Sequence, residues 1–240
     1  GPNLILFGEG AVVPVSELTV TRPPMPARWI DPDGNVLATS TPIPGMDVFL
    51  GSPIGPIPRP FGARAYAASQ GERLAVGTAE ETEYQVFDPD GNLGLIVRWP
   101  DVPREVGGEF LATWSEMVAE WVEGRPDLAP LLESVPRAER WPAYMDLMSS
   151  DRGEIMVGGY PGPTGVWPMR RQDEKPDLLR PQIRMPERDW LVFDSSGVFQ
   201  ATFRTPEGFE AYAVRDSLVW GVYTDSLGIE SVRAHEFTRR

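Results

Sequence analysis

Two segments, Asp31-Pro32-Asp33-Gly34-Asn35 and Asp88-Pro89-Asp90-Gly91-Asn92, crowd hard oxygen donors into five residues, as calcium-binding loops do. A loop of the EF-hand kind also needs a bidentate acid at its twelfth position, which falls here on Pro42 and Trp99. Neither side chain can coordinate. The alternative chemistry is local: Asp accepts hydrogen bonds from backbone amides of its own turn, and Gly supplies a positive φ. A third copy, Asp194-Ser195-Ser196-Gly197, keeps Asp and Gly while changing the rest, so a structural hairpin turn is expected at all three. His235 is the single imidazole; Ser231 lies four residues before it and Glu236 next to it. No Gly-x-Ser-x-Gly elbow accompanies them, so a strand histidine is expected rather than a nucleophilic triad. One histidine and no cysteine give a zinc site too few nitrogen and sulfur ligands. The carboxylate pairs Glu80-Glu81 and Asp173-Glu174 lie in charged loop text, as does the mixed-sign stretch Arg170 to Lys175, and solvated surface is expected there. No catalytic residue, cofactor or metal ligand is therefore assigned. What remains is aromatic: Trp114, Trp121 and Trp141 either dock a helical insertion on the domain or present a patch to a partner.

Composition narrows the partner. The 240 residues carry 35 acidic against 22 basic side chains, a formal charge of -13, which argues against nucleic acid or an anionic membrane as the main partner. The absence of cysteine excludes disulfides and thiolate chemistry. No apolar run approaches the ~20 residues that span a bilayer, so a soluble chain without membrane insertion is expected. Gly1 and Pro2 stand where an initiating Met would be and read as the remnant of a cleaved tag; the natural chain is expected to begin further upstream.

The elements that would position any site are mainly strands. Between residues 61 and 100, the stretches Arg64 to Ser69, Arg73 to Thr78, Thr82 to Asp88 and Asn92 to Trp99 read as four strands with turn residues between them, the content of one propeller blade. In the last of these Leu93, Leu95, Val97 and Trp99 alternate with Gly94, Ile96 and Arg98, and Ile96 suggests that the second face is covered too. A C-terminal unit from 186 to 240 holds strands near Asp189 to Asp194, Val198 to Arg204, Phe209 to Arg215, Leu218 to Thr224 and Glu230 to Phe237. A weaker copy, with Ser150-Asp151-Arg152-Gly153 as its turn, begins a unit at 143 to 185. The first sixty residues hold one hairpin and then a Pro-rich stretch, Thr41 to Pro60, expected to be loop or extended connection. From Glu105 to Val122, Val106, Phe110, Trp114, Met117, Val118 and Trp121 fall at helical spacing. That stretch opens an insertion spanning 101 to 142, with a second short helix expected over Asp127 to Ser134. The expected fold is thus all-β, a single repeat-built domain or fragment over 3 to 240, with about four propeller blades near 3–60, 61–100, 143–185 and 186–240 and a helical insertion at about 105–135.

The segments Gly71 to Val76 and Tyr84 to Gly91, Trp141 to Tyr144 followed by Asp151-Arg152-Gly153, and Trp190 to Asp194 through Asp225 to Val232 resemble secreted bacterial six-bladed β-propellers of the NHL/TolB-like kind. The resemblance covers roughly 61 to 240 and implies an exported protein, periplasmic or extracellular. Six blades plus the insertion would exceed 240 residues, at about 40 to 45 residues per blade; the chain then shows the C-terminal portion of a ring, or a ring with fewer blades. The family carries no catalytic residues over. The expected function is a non-catalytic binding or scaffold role, engaging a protein, peptide or glycan through one face. Two alternatives stand beside it: a Ca²⁺-dependent, lactonase-like propeller hydrolase with its ion held by inner-strand Asp, Glu and Asn, and an assembly subunit completed by missing blades or another chain.

Overall fold

Local turn chemistry sets the framework. In the computed structural model, which describes residues 4–7, 19–50, 56–123, 130, 134–160, 185 and 187–237 (for 4–7 and parts of the helix the backbone alone), five turns share one hydrogen-bond pattern. In each, a side-chain oxygen accepts from the amides two and four residues on: Asp31 from Asp33 and Asn35, Asp88 from Asp90 and Asn92, Ser150 from Arg152 and Glu154, Asp194 from Ser196 and Val198, and Asp225 from Leu227 and Ile229. The fourth residue is always a glycine at positive φ, from 75° at Gly153 to 89° at Gly34, where a Cβ would be strained. The weak copy is therefore in phase at Ser150, whose hydroxyl replaces the carboxylate.

These turns and their relatives connect short strands. The N-terminal region holds β1 (Leu4–Phe7), β2 (Thr19–Thr21), β3 (Pro24–Met25), β4 (Ala27–Ile30), β5 (Val36–Thr39), β6 (Ile43–Pro44), β7 (Val48–Leu50) and β8 (Ile57–Pro58). The described parts of the Pro-rich stretch are thus extended and pair in short pieces, β3 with β6 and β7 with β2 and β8. Next come β9 (Tyr66–Gln70), β10 (Arg73–Gly77), β11 (Glu83–Phe87) and β12 (Leu93–Arg98), the single helix among the described residues α1 (Gly108–Glu123), then β13 (Tyr144–Ser149) and β14 (Ile155–Gly159). The chain ends with β15 (Arg188–Phe193), β16 (Phe199–Thr205), β17 (Phe209–Arg215), β18 (Leu218–Thr224) and β19 (Glu230–Glu236). The helix expected over Glu105 to Val122 forms over Gly108–Glu123, its start displaced because Glu105 bridges Arg140 and the Val106 amide donates to Glu139 O; the second, over Asp127 to Ser134, falls largely outside the described residues.

The protein is mostly β, built from repeated small antiparallel sheets. The first sheet is β1-β4-β5, the second β9 to β12 and the third β13 to β16, the latter two simple meanders; the fourth is β17-β18-β19. The unit expected from 186 to 240 is divided: β15 and β16 pair with β13 and β14, and only the last three strands form their own sheet. The long segment between Gly159 and Arg188 hides that pairing from a reader who expects short hairpin loops.

Apolar faces hold the sheets in a stack. Ala27 and Trp29 of the first sheet pack on Leu74, Val76 and Phe87 of the second. Tyr84, Val86 and Val97 of the second meet Tyr144, Leu147, Ile155 and Val157 of the third. Met156, Trp190, Val192 and Phe203 of the third meet Phe209, Ala211, Val214 and Val219 of the fourth. Close packing leaves no slack: a Cβ on Gly77 would lie inside the hydroxyl of fully buried Tyr144, which donates to Glu83 O at 2.9 Å. One expectation fails here. Ile96 is exposed, because β12 is the outermost strand of its sheet and no layer of the described residues covers its second face.

The first strands of the second, third and fourth sheets lie side by side, β13 between β9 and β17. A parallel bridge joins Ser150 to Val214. These three inner strands run the same way, so their first residues gather at one end of the stack.

Candidate ligand-binding mouth

At that end the chain returns repeatedly. The β10–β11 connection, the insertion, the entry to β9 and the end of β14 all converge on it. Phe61 is the aromatic hub, its ring 5.3 Å from Trp114 of α1 and 4.9 Å from Trp141. Tyr160, just after β14, packs on Trp141 at 5.2 Å. Trp141 is buried and Trp114 half-buried, so these two tryptophans join the insertion to the sheets. Trp121 lies within α1.

Three arginines lock the same junction through backbone carbonyls. Arg22 donates to Gly45 O and Thr78 O and pairs with Asp47 and Glu80. Arg59 donates to Pro136 O and Arg137 O and pairs with Asp47. Arg104, 6% exposed, donates to Trp141 O and Glu80 O and grips Asp101, which also receives Arg140. A cleft of about 280 Å³ opens among Asp47, Arg59, Phe61, Glu80, Arg104 and Trp141. Its guanidinium groups are already engaged, which makes it a seam between insertion and sheets.

Beside the seam, the inner strands bring together groups far apart in sequence. Tyr66 opens β9, Asp146 lies near the start of β13, and Glu210 near the start of β17; Arg188, opening β15, reaches in from the next strand but one. The Arg188 guanidinium is 5% exposed, 3.4 Å from Asp146 Oδ2, with the thioethers of Met145 and Met185 at 3.2 and 3.0 Å and the Trp190 ring beneath it at 5.3 Å. Thioethers are weak acceptors, so this buried cation is sparsely satisfied.

Burial dominates the acid–base properties. Loss of hydration pushes the Asp146 carboxyl up to about 6, against the pull of Arg188 and with some help from the Glu210 charge. The same cause pushes the Tyr66 phenol up to about 12 and raises Tyr160 further, while Tyr212 rises to about 12 through its hydrogen bond with Glu210. All of these tyrosines are neutral at physiological pH. The hydroxyls of Tyr66 and Tyr160 make no hydrogen bond to a described residue. The mouth thus offers neutral phenols, a carboxyl that titrates in mildly acid solution, a second carboxylate and a guanidinium.

The raised Asp146 value has a defined sign. A carboxyl that binds its proton more tightly folded than unfolded stabilises the fold below its unfolded value near 4, and that contribution is lost as pH rises through about 6. The turn carboxylates act oppositely: the Ser196 hydroxyl and backbone amides lower Asp194, and Asn35 lowers Asp31, so their contribution is lost only in stronger acid. Thermal melts should therefore show wild type losing ground to Asp146→Asn between pH 4 and 6.5, with the acid limb unchanged. Parallel curves would remove the burial argument.

Sequence reading missed this group because none of its members belongs to a motif; only their shared position at the start of inner strands marks them. Other candidates disperse. His235 Nε2 is buried without a partner and its ring meets the Phe209 edge at 4.6 Å, while Ser231 Oγ accepts from Arg233 Nε. Glu80 is held by Arg22; Asp173, Glu174 and the stretch from Arg170 lie outside the described residues. Among the described residues no three acidic or imidazole side chains come together as a metal site, and no helix is long and apolar enough to cross a membrane. No family model matches the chain, and no curated protein is significantly similar to it.

Proposed function

We propose that the stacked sheets are successive blades of a β-propeller and that the protein is a non-catalytic binding module, taking a peptide or glycan segment at the mouth where its inner strands begin. The observation that carries this is the convergence of Tyr66, Asp146, Arg188 and Glu210, from separate strands, with Tyr160 nearby; the hydroxyls of Tyr66 and Tyr160 have no hydrogen-bond partner among the described residues. Phenol, carboxyl and guanidinium groups at a half-buried rim suit ligands rich in hydroxyl or amide groups, with ring faces for apolar contact. Inner strands lying in parallel and meanders growing outward from them support the propeller reading, as does the resemblance to six-bladed propellers. Export to the periplasm or extracellular space belongs to the same proposal and rests on that resemblance.

The test is an array of immobilised peptides and oligosaccharides, probed with wild type, Glu210→Gln and Arg152→Ala. Arg152 sits in the turn at the opposite end of β13. Ligands lost with Glu210→Gln and kept with Arg152→Ala support the mouth; ligands that follow Arg152, or none at all, overturn it. A calcium titration on the same protein addresses the hydrolase alternative. An ion that binds only the native fold raises the melting temperature by mass action, and a rise that Glu210→Gln abolishes would replace the binding role with a metal-dependent one.

A further inference from the structure

The two ends of the sheet stack are unlike its interior. Every internal sheet buries an apolar face against each neighbour, yet the outer face of the last sheet leaves Tyr212 61%, Trp220 43% and Val232 76% exposed. Register places Trp220 beside Ala213 and Ala234, and Val222 beside Glu210 and Val232, so these residues share the face turned away from the third sheet. At the other end Val36 is 54% and Leu37 55% exposed, with Val36 registered against Ile30. The charge balance differs: Arg28 stands on the outer face of the first sheet, while Glu210, Glu230 and Glu236 outnumber Arg215 on the outer face of the last.

We propose that the outer face of the last sheet docks on the outer face of the first sheet in a second copy of this chain, continuing from molecule to molecule the sheet-on-sheet packing found within one. Three features select this occupant. The contact repeats the three internal interfaces, in which aromatic and β-branched side chains of one sheet meet those of the next. The opposite charges favour first-on-last over like-on-like pairing. Each face is too apolar to be indifferent to water, though single exposed apolar residues would need no explanation. The pairing is heterologous, so two copies close on each other if the geometry allows and extend as a filament if it does not. This goes beyond the ligand-binding role; the docking face adjoins the mouth at Glu210 and Tyr212, and Val36 and Val232 lie away from it.

Light scattering of the full chain across a dilution series tests it. The expected mass is that of two or more chains at the concentrated end, falling toward one on dilution. Val36→Glu and Val232→Glu, both at exposed positions that should leave the melting temperature unchanged, each return the chain to the mass of one. Mixed together, these two variants still share one intact junction and are expected to form a one-to-one complex. That rescue separates first-on-last docking from any symmetric contact. A single-chain mass for wild type at every concentration overturns the proposal, as does wild-type association that survives Val36→Glu, or a mixture that stays monomeric.

Discussion

Replacing Trp190 with alanine is expected to lower the unfolding free energy by about 3–5 kcal/mol. Against the ~5–15 kcal/mol that separates folded from unfolded for ordinary domains, this leaves a marginal fold. Trp190 is 1% exposed and lies where the third and fourth sheets meet. Its ring stacks on Phe203 at 5.8 Å and 2°, presses on Gly158 where a Cβ would come within 2.9 Å, and lies under the Arg188 guanidinium. Its indole N–H donates to Thr205 Oγ1 at 3.1 Å, a buried bond that fixes the ring's orientation. Truncation removes the apolar area, leaves a cavity between two layers that cannot close on it, and strips the floor from the mouth. Phenylalanine keeps much of the ring and should lose less, chiefly the indole bond and part of the fill, about 1–3 kcal/mol. Denaturant titration of the three proteins checks the order, with the slope m unchanged if the unfolded states are alike. A loss under ~1 kcal/mol for the alanine variant would contradict the sheet stacking.

Arg104→Met is the second large effect, and it is local as well as global. The methionine keeps the apolar stem but deletes every donor. The buried carbonyl of Trp141 and the partly buried one of Glu80 then lose a charged partner. Each orphaned carbonyl costs about 1–3 kcal/mol, so a total near 2–4 kcal/mol is expected. The cost should concentrate at the seam, because Arg104 joins the start of the insertion to its return strand: the Trp141 amide donates to Arg104 O, and Val106 N–H to Glu139 O. Hydrogen exchange should accelerate across α1 and the residues from Ser134 to Trp141, while β14 to β16 keep their protection. Unchanged exchange in α1 would mean that the aromatic contacts of Phe61 with Trp114 and Trp141 hold the insertion without the arginine.

The parts of this fold that were readable in the chain are those whose cause is local. Asp-x-x-Gly turns specify hairpins within five residues, and they form at Asp31, Asp88 and Asp194 with one bond pattern. The heptad-like spacing from Val106 to Trp121 likewise produces α1. Where the cause is distant, reading along the chain fails. β14 and β15 pair across the segment between Gly159 and Arg188, and no local signal announces it. Ile96 looks buried because it is apolar, but exposure is decided by whether another layer lies over β12. The mouth is the extreme case: Tyr66, Asp146, Arg188 and Glu210 acquire a common setting only after three sheets have stacked. Asp146 illustrates the point, since an ordinary aspartate in a strand becomes a mildly acidic titrating group chiefly through burial.

Calorimetric titration of the strongest array ligand into wild type, Tyr66→Ala and Arg152→Ala measures the claim that the mouth is where this protein binds. The two substitutions sit at opposite ends of neighbouring inner strands; because Tyr66 also packs against the core between the second and third sheets, a melting curve of each variant accompanies the titration. Affinity about tenfold or more weaker is expected for Tyr66→Ala, a loss of roughly 1.4 kcal/mol, with Arg152→Ala indistinguishable from wild type. Equal affinity for wild type and Tyr66→Ala, or a loss confined to Arg152→Ala, would contradict it.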